Sequence, residues 1–120
     1  MSYVDGFIVP VPKTKIDAYR RLSELSCDVW MEHGALEYQE YIADDVPEGV
    51  MTSFPLSVKL QEDETVVFAW ARYESRQHRD TVVKKVMADK RMEAMKPENL
   101  PFDGQRLIWG GFNLLVSNES

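Results

Sequence analysis

The stretch from Thr65 to Tyr73 carries apolar side chains on both of its alternating faces, and this constrains the fold more than any other feature. Val66, Phe68 and Trp70 fall on one face, and Val67, Ala69, Ala71 and Tyr73 on the other. A β-strand sends successive side chains to opposite sides of its sheet, so a strand of this kind needs cover on both. Tyr3 to Val11 repeats the pattern, with Tyr3, Phe7, Val9 and Val11 set against Val4 and Ile8. The stretch from Arg106 to Val116 does so again, with Leu107, Trp109 and Leu115 against Ile108, Phe112, Leu114 and Val116.

Two helices are expected between these strands. From Lys15 to His33, a helical period gathers Ile16, Tyr19, Leu22, Leu25, Ser26, Val29, Trp30 and His33 on one face. Asp17, Arg20, Arg21, Glu24, Asp28 and Met31 fall opposite, which is the pattern of a helix covering one side of a sheet. Thr14 and Asp17 have the spacing of a capping box, and Gly34 stands where a left-handed C-terminal cap is needed. Ser75 is a natural N-cap for a second helix, Arg76 to Met87, with Val82, Val83, Val86 and Met87 in its apolar stripe. Asp89 is placed to cap a further short turn carrying Met92 and Met95. Ala35 to Ala43 reads as a strand, and Asp44 to Gly49 as a solvated turn. Phe54 to Leu60 reads as a short strand in a hairpin with Thr65–Tyr73, although Pro55 weakens it.

The resulting order, β-α-β-(β)-β-α-β, predicts an α+β fold of the ferredoxin-like β-α-β-β-α-β type. Its sheet is antiparallel and both helices lie on one face. The second apolar face then needs another partner, and a second copy of the same sheet is the economical one. The expectation is a homodimer through sheet-to-sheet packing, a dimeric α+β barrel burying on the order of 1,500 Å² or more.

Composition narrows the function classes. With 120 residues the chain has the size of one domain, residues 1–120. Fourteen basic residues against 20 acidic ones give a net charge of −6, which speaks against a nucleic-acid partner. The single cysteine, Cys27, rules out an intrachain disulfide and a thiolate-rich metal site, and fits a reducing cytoplasm. The N-terminal residues do not read as a signal peptide, and no stretch reads as a membrane span. No metal or cofactor is expected.

Several motifs, in order along the chain, are similar to those of the bacterial YbaA-like family, a domain family of unknown function. They are Val4-Asp-Gly-Phe7, His33-Gly-Ala-Leu36, Glu62-Asp-Glu-Thr-Val-Val-Phe-Ala-Trp70 and Arg79-Asp80. Further on come Met87-Ala-Asp89, Pro101-Phe-Asp-Gly-Gln-Arg106 and Ile108-Trp-Gly-Gly-Phe112. The resemblance spans about Tyr3 to Leu115 and implies a dimeric α+β barrel with no established activity. One departure is Asp89-Lys-Arg-Met92, where relatives tend to have proline after the aspartate.

The ligand-binding candidates are His33, Trp30, Trp70, Trp109, Arg72 and Tyr38. A cleft between helices and sheet lined by Trp30, His33, Trp70 and Trp109 would hold a small, partly apolar molecule for binding or transformation. His33 would act there as a base or orienting group; its plainer reading is a packed residue at the helix end. Arg72 would clamp a carboxylate, or else form an ion pair at the strand end. Glu37, Gln39 and Glu40 sit within the second strand, near Tyr38 and Tyr41; a carboxylate there is either a base facing the barrel interior or part of a charged edge strand, and the edge reading is preferred. Trp70 and His78 match two of the three residues of haem-degrading dimeric barrels, but the first strand lacks the asparagine, so haem chemistry is not expected. Gly110-Gly111 inside a strand reads as a bulge or close backbone approach. The alternative function is a non-catalytic dimeric module with a regulatory or protein-binding role, its tryptophans serving packing alone.

Overall fold

A computed structural model describes residues 2–119. Strands β1 (Tyr3–Pro12), β2 (Glu37–Ile42), β3 (Glu64–Tyr73) and β4 (Ile108–Asn113) form one sheet in the order β2-β3-β1-β4. Every neighbouring pair is antiparallel. Helices α1 (Ile16–Glu32) and α3 (Arg76–Met87) pack on one side of it, and a single-turn helix, α2 (Phe54–Ser57), follows the β2 loop.

The pleat sorts the side chains as their alternation requires. Tyr3, Asp5, Val9 and Val11 of β1 point toward the helices, level with Tyr73, Ala71, Val67 and Thr65 of β3. Tyr3, Ala71 and Tyr73 pack with Val29 and Trp30 of α1 and with Val82 and Val86 of α3. A second cluster, Val9, Val11, Tyr19 and Val67, fills the far end beneath the start of α1. Helix α1 ends as its sequence suggests, with Gly34 at φ +113°, a conformation glycine reaches without a Cβ clash. Ser75 caps α3 by accepting the His78 N–H at 3.0 Å, and Asp89 caps the 3₁₀ turn Lys90–Met95 through the Arg91 N–H at 2.9 Å.

Three local expectations are corrected. Phe54–Leu60 is no strand: Ser53 accepts the Leu56 N–H at 3.0 Å and Pro55 sits in the first turn, where its missing N–H costs nothing. The hairpin partner of β3 is accordingly β2, and α2 lies over one corner of the helix-free sheet face, its Phe54 ring 6.0 Å from that of Phe68. Thr14 makes no capping bond; a 3₁₀ turn over Lys13–Lys15 leads into α1, and Asp17 pairs with Arg20 instead.

Gly110-Gly111 contains no bulge, since β4 pairs with β1 in unbroken register. The close approach at Gly111 is to a side chain of the same chain: a Cβ there would stand 2.1 Å from the Tyr3 hydroxyl oxygen. Tyr3 is held in place by Arg79, whose Nη2 donates to that oxygen at 3.0 Å. Gly111→Ala is therefore expected to cost about 1–3 kcal/mol by overpacking. Denaturant unfolding checks this: in a Tyr3→Phe background the added cost of the alanine should shrink, and an equal cost in both backgrounds would assign it elsewhere.

Candidate functional site

Between the helix layer and the β4 end of the sheet lies a cleft of about 710 Å³. Its walls come from five elements. Trp30 reaches in from α1, Val83 and Met87 from α3, Met92 and Met95 from the 3₁₀ turn, and Phe7 and Trp109 from neighbouring strands. The rings of Phe7 and Trp109 stack with centroids 6.5 Å apart, which follows from their pairing across β1 and β4. Flexible methionines beside rigid aromatic rings make an adaptable apolar lining.

The floor is polar. Asp5 sits in β1 among apolar neighbours and is only 2 % exposed. Arg79 of α3 answers it, with Nη1 donating to Oδ1 at 3.1 Å, while the guanidinium carbon lies 5.2 Å from the Tyr3 ring centre. Burial pushes the Asp5 carboxyl above the usual carboxylate range, and the Arg79 charge opposes this without cancelling it. Arg79 Nε is enclosed and 2.9 Å from Asp80 Oδ1, in a geometry that makes no hydrogen bond. Beside this pair the Trp30 indole donates to the Tyr73 hydroxyl at 3.0 Å, so Trp30 is oriented from below. Most other ionisable groups facing the cleft are engaged: Asp89 with Arg91 at 2.8 Å and Glu93 with Lys96 at 3.0 Å. Lys90 at the rim makes no ion pair among the described residues.

Of the six sequence candidates, this cleft gathers Trp30 and Trp109. The other four stand outside it. Trp70 and Arg72 belong to the opposite, helix-free face of the sheet, level with Gly6 and Val4. Arg72 is engaged there with Glu37, Nε to Oε1 at 2.7 Å, the strand-end ion pair. His33 does not line the cleft; its Nε2 lies 2.9 Å from Asp89 Oδ2 and ties the end of α1 to the 3₁₀ turn. Asp89 also receives Arg91, whose hydrogen bonds hold the carboxyl well below its ordinary range. Tyr38 faces the helices at the other end of the sheet, where its hydroxyl donates to Glu40 at 2.7 Å. His78 accepts the Glu74 N–H through Nδ1 at 3.0 Å, a local contact at the start of α3.

Sequence reasoning missed Asp5 and Arg79. The available signal was Asp5 itself, a lone carboxylate within an otherwise apolar strand, which demands a cation from elsewhere in the fold.

These features define a class: an α+β protein with a four-stranded antiparallel sheet, helices on one face, and an apolar cleft between the layers floored by a buried ion pair. The chain belongs to the family described as protein of unknown function (DUF1428), whose pattern matches residues 2–104. It is 46 % identical over 116 residues to the uncharacterized protein YbaA of Escherichia coli (strain K12), covering 97 % of this chain and 98 % of that one. The YbaA protein of Shigella flexneri matches to the same extent. Among solved structures, an uncharacterized NIPSNAP domain protein from Burkholderia xenovorans shares the fold, with a TM-score of 0.53 at 14 % identity over 98 % of this chain and 97 % of that one. No helix among the described residues is long and apolar enough to cross a membrane.

Proposed function

We propose that this protein is a ferredoxin-like domain that assembles through its helix-free sheet face into a dimeric α+β barrel. Its helix–sheet cleft binds a small, partly apolar molecule with an acidic or hydrogen-bond-accepting end. The observation that carries the reading is the cleft: an apolar, aromatic-lined space of about 710 Å³ with a few convergent polar groups. Lys90 is the cation free to meet the ligand's polar end, while Arg79 is committed to Asp5. Binding, rather than chemistry, is favoured because no carboxylate lining the cleft is without a cation among the described residues: Asp5 pairs with Arg79, Asp89 with Arg91 and Glu93 with Lys96.

An anilinonaphthalene sulfonate probe tests this, having an apolar body and one anionic group. Its fluorescence is expected to rise saturably with one site per chain. Val83→Trp, which fills the cleft from α3, should abolish that rise. Lys90→Ala should weaken it a few-fold, the scale of one partly exposed charge contact. Undiminished binding by Val83→Trp would place the probe elsewhere and overturn the reading.

A further inference from the structure

A second hollow, of about 300 Å³, opens at the other end of α1 against β2 and is separate from the cleft. Glu40 stands in its wall and receives a hydrogen bond on each carboxylate oxygen, from Tyr19 at 2.5 Å and from Tyr38 at 2.7 Å. Both tyrosines are held far above their usual range, first by burial and then by the Glu40 charge, so they stay protonated donors. Two hydrogen bonds leave about half of a carboxylate's acceptor capacity unused. Among the described residues Glu40 forms no ion pair, and Arg20, the cation in the same wall, is taken by Asp17 at 2.9 Å. Ser23 Oγ, in the same wall, is enclosed and has no hydrogen-bond partner.

A half-buried carboxylate held by neutral donors and lacking a cation is electrostatically incomplete. We infer that this hollow is a binding site for a small primary ammonium ion with an apolar or aromatic body. The ammonium group is a donor, and the unused acceptor positions of Glu40 face it. The rings of Tyr19 and Tyr38 supply aromatic surface that attracts a cation, and Val67 and Ile42 supply an apolar wall. Anions are disfavoured by Glu40 and by Glu24 at the rim. A divalent metal is not indicated, because the described residues contain no group of three or more metal-ligating side chains.

The hollow also borders an inner void. A void of about 80 Å³ beneath α1 shares Tyr19, Ser23, Tyr38 and Glu40 with it, and shares Trp30 and Met95 with the cleft. The Trp30 ring lies 5.8 Å from that of Tyr38, so its indole N–H resonance is a natural reporter.

Titration of the ¹⁵N-labelled protein with phenethylamine, followed by NMR, tests the site. Saturable shifts are expected at the Ser23, Cys27 and Tyr41 amides and at the Trp30 indole, complete by about 10 mM, an affinity typical of a fragment-sized ligand. Phenylpropionate and phenylpropanol, of similar size, should produce no such shifts. Glu40→Gln should weaken phenethylamine at least about tenfold, the loss expected when a charged partner is removed. Should Glu40→Gln not fold, Cys27→Met fills the hollow from α1 while sparing the Glu40 hydrogen bonds, and should likewise abolish the shifts. Equal shifts from the alcohol or the acid, undiminished binding in the variants, or no saturation with phenethylamine would overturn the inference. Shifts confined to Val83 and Met92 would assign the amine to the cleft and overturn it as well.

Discussion

Arg79→Met is expected to destabilise the protein by about 3–5 kcal/mol at pH 7, because it strands the Asp5 carboxylate in a site that is 2 % exposed. The methionine retains most of the buried stem, so the loss reports the missing charge and its bonds to Asp5 and Tyr3 rather than a cavity. For a chain of this length, that corresponds to a fall in Tm of roughly 10–20 °C. Its pH dependence follows from the direction of the Asp5 shift. The folded-state carboxyl already sits above the ordinary value of 3.8, so its contribution to stability is fully present below that value and is lost as pH rises through the folded pKa. Removing Arg79 raises the folded value further and widens the window over which stability falls. The penalty of the variant should therefore be greatest near neutrality and shrink on acidification. Asp5→Asn combined with Arg79→Met should recover more than half of the loss at pH 7. Thermal unfolding of both variants at pH 7 and pH 4 is the measurement. A penalty that does not change with pH, and that the double variant fails to relieve, would show that Arg79 acts through packing.

That ion pair also marks where the sequence becomes hard to read. Periodicity places β1, β3, α1 and α3 within a few residues, because each buries a face whose spacing is set by local geometry. The Phe54–Leu60 stretch is misread because its apolar residues suit a strand as well as a helical turn. Ser53 and Pro55 settle the matter through capping, a local signal that apolar counting ignores. Trp30 and Trp109 are legible as cleft residues because large aromatics on a helix-facing surface have few other places to go. Asp5 and Arg79 are separated by 74 residues, and no local pattern links them. His33 and Asp89, 56 residues apart, fail for the same reason. Trp70 is misplaced by a different route. Its side of β3 is apolar, and without the register nothing in the strand itself says which apolar side meets the helices. Glu40 shows the limit of the edge-strand reading: β2 is indeed an edge, yet Glu40 alternates toward the helices while Glu37 and Gln39 face the other way.

The same two-sided alternation supplies the second large effect. On the helix-free face, Phe68 and Ile108 are each 43 % exposed and Phe112 is 62 % exposed. Together with Val4, Ile8 and Trp70 they border a hollow floored by Gly6 and Gly110. Helix α2 covers only the corner near Phe68, so the rest of this apolar surface meets water in an isolated subunit. If two copies bury it against each other, the protein in solution should have twice the 13.9 kDa mass of the chain at micromolar concentration, with a concentration-dependent Tm. Ile108→Glu together with Phe112→Glu places four carboxylates in the dimer interface without disturbing a packed core. Desolvating them should cost at least about 4 kcal/mol, which weakens association by roughly a thousandfold or more and yields a single-copy particle. Val83→Ala, in α3 on the wall of the cleft, should leave the mass unchanged while altering the cleft. Sedimentation velocity separates these outcomes. A wild-type protein that sediments as one copy at micromolar concentration, or a double-glutamate variant that still sediments as two, would show that this apolar face does not join two copies.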